Sequence, residues 1–210
     1  MDAALARAWM RAAAGAVTAE ADRLTRLDTA IGDGDHGVNL TRGFTAVVAA
    51  LEKTETEPGT VAGVLITSGT TLMSKVGGAS GPLYGSALRA AGKALPPGAE
   101  VTPADLVKAL HAGLDAVRKL GGAVPGDKTL VDAYTPAVEA FEAAVAGGAG
   151  LPAAAAEAAR AAAEGAEATV PLRARKGRAS YLGERSVGHP DPGAVSTSLI
   201  FAALARILAG

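Results

Sequence analysis

The chain has 210 residues, enough for one domain with a real hydrophobic core, and a net charge of −1 with 20% charged residues. That balance points to neither a nucleic-acid partner nor a charged tail, and the absence of cysteine excludes disulfides, thiolate catalysis and Cys-based zinc sites. Alanine is abundant while aromatics make up only 3%, so good helix formers far outweigh the residues that favour sheet, and an all-α single domain over 1–210 is expected.

In chain order, the opening MDAALARAWMRAAAG lacks a basic stretch followed by a continuous apolar one, and reads as an amphipathic helix rather than a signal peptide. No window of 18 residues is free of both glycine and charge, so no membrane span is expected and the cytoplasm is the expected compartment. Leu5, Trp9, Val17, Leu24 and Leu27 recur at helical spacing and predict one long first helix that breaks at Gly32. A second helix runs through Val38, Phe44, Val47 and Leu51 and is punctuated by Pro58-Gly59. A third, through Val61, Leu65, Leu72 and Val76, stops at Gly77-Gly78. Ser80-Gly81-Pro82 reads as the start of a fourth, which ends near Pro96-Pro97. Thr102-Pro103-Ala104-Asp105 is an N-terminal signature for a fifth helix, closed by Gly121-Gly122. A sixth is expected from about Lys128 to Ala146 with Pro136 inside it, a seventh from Pro152 to Ala168, and a last from Gly193 to Leu208. Residues 170–192 carry no helical pattern, and so long a gap in a small domain is usually functional.

Four segments carry chemistry. In Leu27–Asn39, Asp28, Asp33 and Asp35 lie within eight residues where a helix gives way to a glycine-rich loop. Carboxylates held together repel, and a hard divalent cation such as Mg²⁺ resolves the repulsion with oxygen ligands, water and phosphate. The helix expected to start near Val38 would turn its free N–H groups to the same spot. Gly32–Gly37 matches G-x-G-x-x-G by letter, but a Rossmann loop follows a strand, and here a helix precedes it. An EF-hand counted from Asp33 would have Phe44 where glutamate is required. The same residues also suit an ordinary solvated turn. Gly77–Gly85 offers small residues ahead of a helix start, which suit either a base and phosphate or tight helix packing. Pro125–Asp132 sets Asp127 and Lys128 at a helix start, with a capping role. Arg173, Arg175, Lys176, Arg178 and Arg185 make a basic loop whose guanidinium forks suit phosphate, while Tyr181 alone is too little stacking surface for RNA. His36 and His189 fall in Gly/Asp loops, where either could contact phosphate or move a proton, and His111 reads as structural.

Together, IGDGDHGVN, KVGGASGPLYG, PGDKTLVDA and ARKGRASYLGERSVGHPDPGA resemble the dihydroxyacetone kinase L family, in its order and over essentially the whole chain. The resemblance implies a closed barrel of eight antiparallel helices with a nucleotide site at one mouth. It implies ADP (or ATP) and two Mg²⁺ ions held by Asp28, Asp33 and Asp35. Nucleotide contacts would fall on His36, Gly37, Val38, Asn39, Ala79, Ser80, Gly121, Leu130, Arg178, Asp191, Pro192 and Gly193. Gly121 and Leu130 rest on the resemblance alone, since by pattern they are a helix end and a core residue.

The family works either fused to a substrate domain that uses ATP, or as a free L subunit. The free subunit keeps ADP as a cofactor, is rephosphorylated by a phosphocarrier M subunit, and passes the phosphoryl group to dihydroxyacetone on a K subunit. With only the L part present, the chain looks like the free phosphotransferase subunit, active only with its partners. Arg178 would offset charge on the transferring group. A non-catalytic nucleotide sensor and an ATP-dependent ketose kinase subunit are the competing readings. The Ala-rich seventh helix could face a second copy, as a homodimer, or pack inside the barrel.

Overall fold

Short polar side chains set most of the helix starts. Asp2, Thr60, Thr102 and Asp191 each accept a hydrogen bond from a backbone N–H of the first turn that follows, a contact that stabilises a helix by about 1 kcal/mol. At Thr102 the bond is reciprocated by Asp105, completing the box expected there. The computed structural model describes residues 1–53, 59–98 and 100–210, and over them the regular elements are all helical. They are α1 (Ala3–Ala19), α2 (Ala21–Ile31), α3 (His36–Glu52), α4 (Val61–Lys75), α5 (Ser80–Ala94), α6 (Pro103–Gly121), α7 (Val131–Ala146), α8 (Leu151–Ala168) and α9 (Pro192–Ala209), with a 3-10 helix over Arg178–Ser186. The Pro58 end of the expected punctuation lies outside the described residues.

Three expectations change. The first helix divides at Glu20, whose ψ of 8° leaves the α region, and neither glycine nor proline marks the break. The sixth expected helix starts at Val131 rather than near Lys128, because Lys128 has φ +62°, which a right-handed helix cannot hold. The patternless gap contains the 3-10 helix, too short to show a period. At the end of α6, Gly122 takes the left-handed conformation that a helix stop favours, as Gly121-Gly122 suggested.

From α3 onward each helix packs on the next as far as α9, and α9 packs on α1, which in turn packs on α3. Trp9 of α1 secures that last contact by donating its indole N–H to the Ile200 carbonyl at 3.0 Å. Leu72, Leu110, Phe141, Phe201 and Leu204 fill the space between, with Tyr134 edge-on to Phe201 at 5.4 Å. Helix α9 is apolar enough by composition to cross a bilayer, but it is packed against α1, α7 and α8, and half of it is buried. Helix α8 buries Ala154, Ala155, Ala158, Ala162 and Ala166 and turns Glu157, Arg160 and Glu164 outward. Helices α4 and α5 cross so closely that a Cβ on Gly69 would sit 2.5 Å from the Gly85 carbonyl, and one on Gly85 would sit 2.6 Å from the Gly69 carbonyl. Helix α2 leans mainly on α3, and also on α9 and the 3-10 segment.

Candidate functional site

Asp28 sits in the last turn of α2, 9% exposed. Its Oδ2 accepts the Asp35 N–H at 2.8 Å and the His36 N–H at 3.1 Å, so the side chain of one helix caps the start of the next. Those free N–H groups therefore face Asp28 itself, and α3 begins at His36 rather than near Val38. Asp28 still has Oδ1, and one carboxylate oxygen from each of Asp28, Asp33 and Asp35 lies within 4.8 Å of the others. Gly32 leaves room for this: a Cβ there would come within 2.1 Å of Asp28 Oδ1. A half-satisfied carboxylate beside two exposed ones is the donor set of a hard divalent cation, and these residues fit Mg²⁺.

His36 is buried behind the aspartates and uses both ring nitrogens. Nδ1 lies 3.1 Å from Ser80 Oγ at the start of α5, and Nε2 lies 2.8 Å from Ser196 Oγ in α9. Ser196 continues to the Tyr84 hydroxyl at 2.7 Å, which also meets Thr197 Oγ1 at 2.8 Å and the Gly193 carbonyl at 2.9 Å. Burial lowers the His36 pKa, against the pull of the Asp28 and Asp35 carboxylates, and keeps the ring neutral at pH 7. Burial likewise pushes the Tyr84 phenol well above its ordinary range. This neutral chain fixes three loops to one another: the aspartate loop, the Gly77–Ser80 loop and the Asp191–Gly193 turn. With both nitrogens engaged, the ring is a joint among the three loops.

The basic loop forms the facing wall. Arg178 places Nε 2.7 Å from Asp33 Oδ2, and both side chains are open to solvent. Ser186 donates to the Gly183 carbonyl and accepts the Ala174 N–H at 2.9 Å, and Ala174, Ala179 and Leu182 pack on Ile31 of α2. Tyr181 stands 89% exposed at the rim. Burial pushes the Asp191 carboxyl up to about 7, even though its Oδ2 accepts the Ala194 N–H.

Between these walls lies a cavity of about 640 Å³, within the range of small-molecule sites. It brings together Asp28, Asp33, Asp35, His36, Ala79, Ser80, Gly121, Leu130, Arg178, Asp191, Pro192 and Gly193. Gly37, Val38 and Asn39 stay outside its wall. Gly37 is pressed against the Ala21 carbonyl, Val38 points to solvent, and Asn39 accepts from Arg42 at 2.7 Å. His111 pairs with Glu142 on the surface at 2.9 Å, and His189 presents its carbonyl to Lys128. The first half of the Gly77–Gly85 segment lines the cavity, while Gly81 and Gly85 show the tight helix packing expected, against α4. Sequence reasoning missed Tyr84, Ser196 and Thr197, which sit within helical patterns, and Thr129, which lines the cavity. A buried hydroxyl is invisible to periodicity. The helix-start reading of Asp127-Lys128 gives way as well, since Asp132 accepts the Gly126 and Thr129 N–H groups and sets the start of α7.

Residues 30–206 match the family described as the DAK2 domain. The chain is 43% identical over 182 residues to the PEP-dependent dihydroxyacetone kinase 1, ADP-binding subunit DhaL, of Listeria innocua, covering 86% of this chain and 84% of that protein. It is 40% identical over 197 residues to the PEP-dependent dihydroxyacetone kinase, ADP-binding subunit DhaL, of Escherichia coli, covering 94% and 93%. In three dimensions it is similar to the dihydroxyacetone kinase from C. freundii in complex with AMP-PNP and Mg²⁺, with a TM-score of 0.74 and 28% identity. That match covers 98% of this chain and 34% of the larger kinase.

Proposed function

The chain belongs to the DAK2-domain family, and on that premise we propose that it is the ADP-binding L subunit of a phosphotransferase-type dihydroxyacetone kinase. In this reading it receives a phosphoryl group from a phosphocarrier M subunit onto bound ADP and passes it to dihydroxyacetone held on a K subunit, in the cytoplasm. The observation that carries the reading is the carboxylate cluster of Asp28, Asp33 and Asp35 at one side of a nucleotide-sized cavity, with Arg178 facing it. Similarity to ADP-binding subunits over most of their own length favours the free-subunit mode over the fused one. The unbroken order of helix contacts, closed by α9 on α1, supports a barrel of eight helices, with α2 as an outer brace and the site at one mouth.

Asp28, Asp33 and Asp35 would hold two Mg²⁺ ions, which when bound neutralise phosphate oxygens. Asp28 offers Oδ1, since Oδ2 already caps α3. Arg178 would exchange Asp33 for a phosphate oxygen, with Arg175 and Lys176 beside it in the wall. Leu83, Val117, Ala123 and Leu130 give the cavity an apolar side fit for a base. Phosphoryl transfer needs positioning and charge neutralisation more than covalent help from the protein. The base that activates the acceptor belongs to the K subunit in this scheme.

The test is the mass of freshly dialysed protein under native and denaturing conditions, followed by transfer assays with K and M subunits added. A native mass heavier by one ADP and two magnesium ions, and turnover only with both partners, is the expected result. Protein that emerges empty but binds ATP–Mg reversibly points to an ATP-consuming subunit, and binding without any turnover points to a sensor.

A further inference from the structure

Lys128 is the one non-glycine residue with positive φ among the described residues, and it is 1% exposed. Either feature is unusual for lysine, because left-handed backbone disfavours a Cβ and a buried ammonium loses its hydration. No carboxylate forms an ion pair with it among the described residues. Its Nζ instead donates to backbone carbonyls: Thr169 at 2.7 Å, Val170 at 3.5 Å, and His189 at still closer range. Thr169 and Val170 lead into the basic loop and His189 leads out of it.

Three neutral bonds lie beside the ammonium. The Gly188 N–H donates to the Val170 carbonyl at 2.8 Å, the Asp191 N–H to Thr169 Oγ1 at 2.8 Å, and the Arg175 N–H to the Asp127 carbonyl at 3.0 Å. A loop of some twenty residues is thus gathered at its base around one cation supplied by another part of the chain. The loop carries Arg178 and leads into Asp191, and both line the cavity, as Lys128 itself does. Burial pulls the ammonium's pKa down, while the charges of Asp191 and Asp132 push it up.

We propose that Lys128 is a positioning residue: its ammonium clasps the two ends of the 170–190 loop and so holds Arg178 and the Asp191–Gly193 turn at the spacing that a nucleotide diphosphate requires. The left-handed backbone aims the side chain inward at the loop base, and that is why lysine stands where glycine would fit the backbone more easily. The role rests on the nucleotide reading of the cavity, and the test separates the two.

The full chain, Lys128→Met and Lys128→Gly are compared by titration with a fluorescent ADP in Mg²⁺ and by amide hydrogen exchange. The methionine fills the space without charge, and the glycine relaxes the backbone. Both variants should bind ADP at least tenfold more weakly. Both should lose protection at the Arg175, Val187 and Gly188 amides while α7 and α8 keep theirs. Butylammonium, but not n-butanol, should restore part of the loop protection and of the affinity in Lys128→Gly, which a packing role would not predict. Binding within twofold of the parent with an unchanged loop overturns the clasp. So does loss of protection throughout α7 and α8 in both variants, since Lys128 then holds the fold rather than the loop. If the parent itself binds no ADP, the nucleotide reading fails, and loop exchange still decides the clasp.

Discussion

The aspartate loop and the basic loop face each other across one cavity and are built in opposite ways. The first is braced from within, where Asp28 caps the helix that Asp35 and His36 begin, and is tied outward by His36 to Ser80 and Ser196. The second depends on distant residues: Lys128 gathers its ends, Asp127 accepts the N–H of Arg175, and Ile31 gives it an apolar seat. One cavity can thus pair a corner braced largely by its own capping carboxylate with a wall whose position is set by the rest of the fold. Apart from the His36 contacts, the first should tolerate changes elsewhere in the molecule better than the second.

The sharpest way to break that contrast is at the aspartate side. Asp28→Asn removes the carboxylate yet leaves an oxygen to cap α3, so the helical circular dichroism should persist. Nucleotide and Mg²⁺ affinity should fall by more than the roughly 100-fold that loss of a mere supporting partner can reach. Normal retention of ADP and Mg²⁺ by the variant, measured by calorimetry, would show the metal assignment to be wrong. Gly32→Ala asks whether the corner has slack. The new Cβ would overlap Asp28 Oδ1, so the carboxylate must turn, and a loss of affinity of about tenfold is expected with helix content unchanged.

On the other wall, Ser186→Ala leaves the Ala174 N–H without its buried partner, which costs about 1–3 kcal/mol. That cost should appear as faster exchange within 174–188 and a smaller change in overall denaturation, because the loop is held separately at its base. The smallest effect is a pH slope. The folded-state pKa of Asp191, about 7, lies above its unfolded value near 4, so the folded state binds the extra proton between them. Its contribution to stability is full below pH 4 and is lost as pH rises through 7. Asp191→Asn should therefore flatten the stability profile in that window, as measured by urea denaturation at successive pH values. A slope unchanged by the substitution would place the titration on another group.

The same division decides what could be read from the sequence. The helices, the capping box at Thr102, the stop at Gly122 and the grouping of Asp28, Asp33 and Asp35 are local events, written in neighbouring letters. The break at Glu20 leaves no such mark: neither glycine nor proline stands there, and both helices go on to pack on α3 and α9. Lys128 looked like part of a helix start because letters alone give neither its φ nor the carbonyls it reaches 41 and 61 residues on. Gly37 and Asn39 show what a shared motif leaves open. They stand beside Asp35 and His36 in the letters, yet neither lines the cavity: Gly37 lies against α2, and Asn39 pairs with Arg42 next to Gly77.

The chain has three tyrosines, and their placement has a practical use. Tyr84 and Tyr134 are buried, while Tyr181 projects from the basic loop with 89% of its surface in water. A reagent that nitrates accessible phenol rings should therefore mark this one position in the native protein. The nitrophenol would give the rim of the cavity its own absorbance, so that arrival of a ligand or a partner could be followed by colour without altering the sequence.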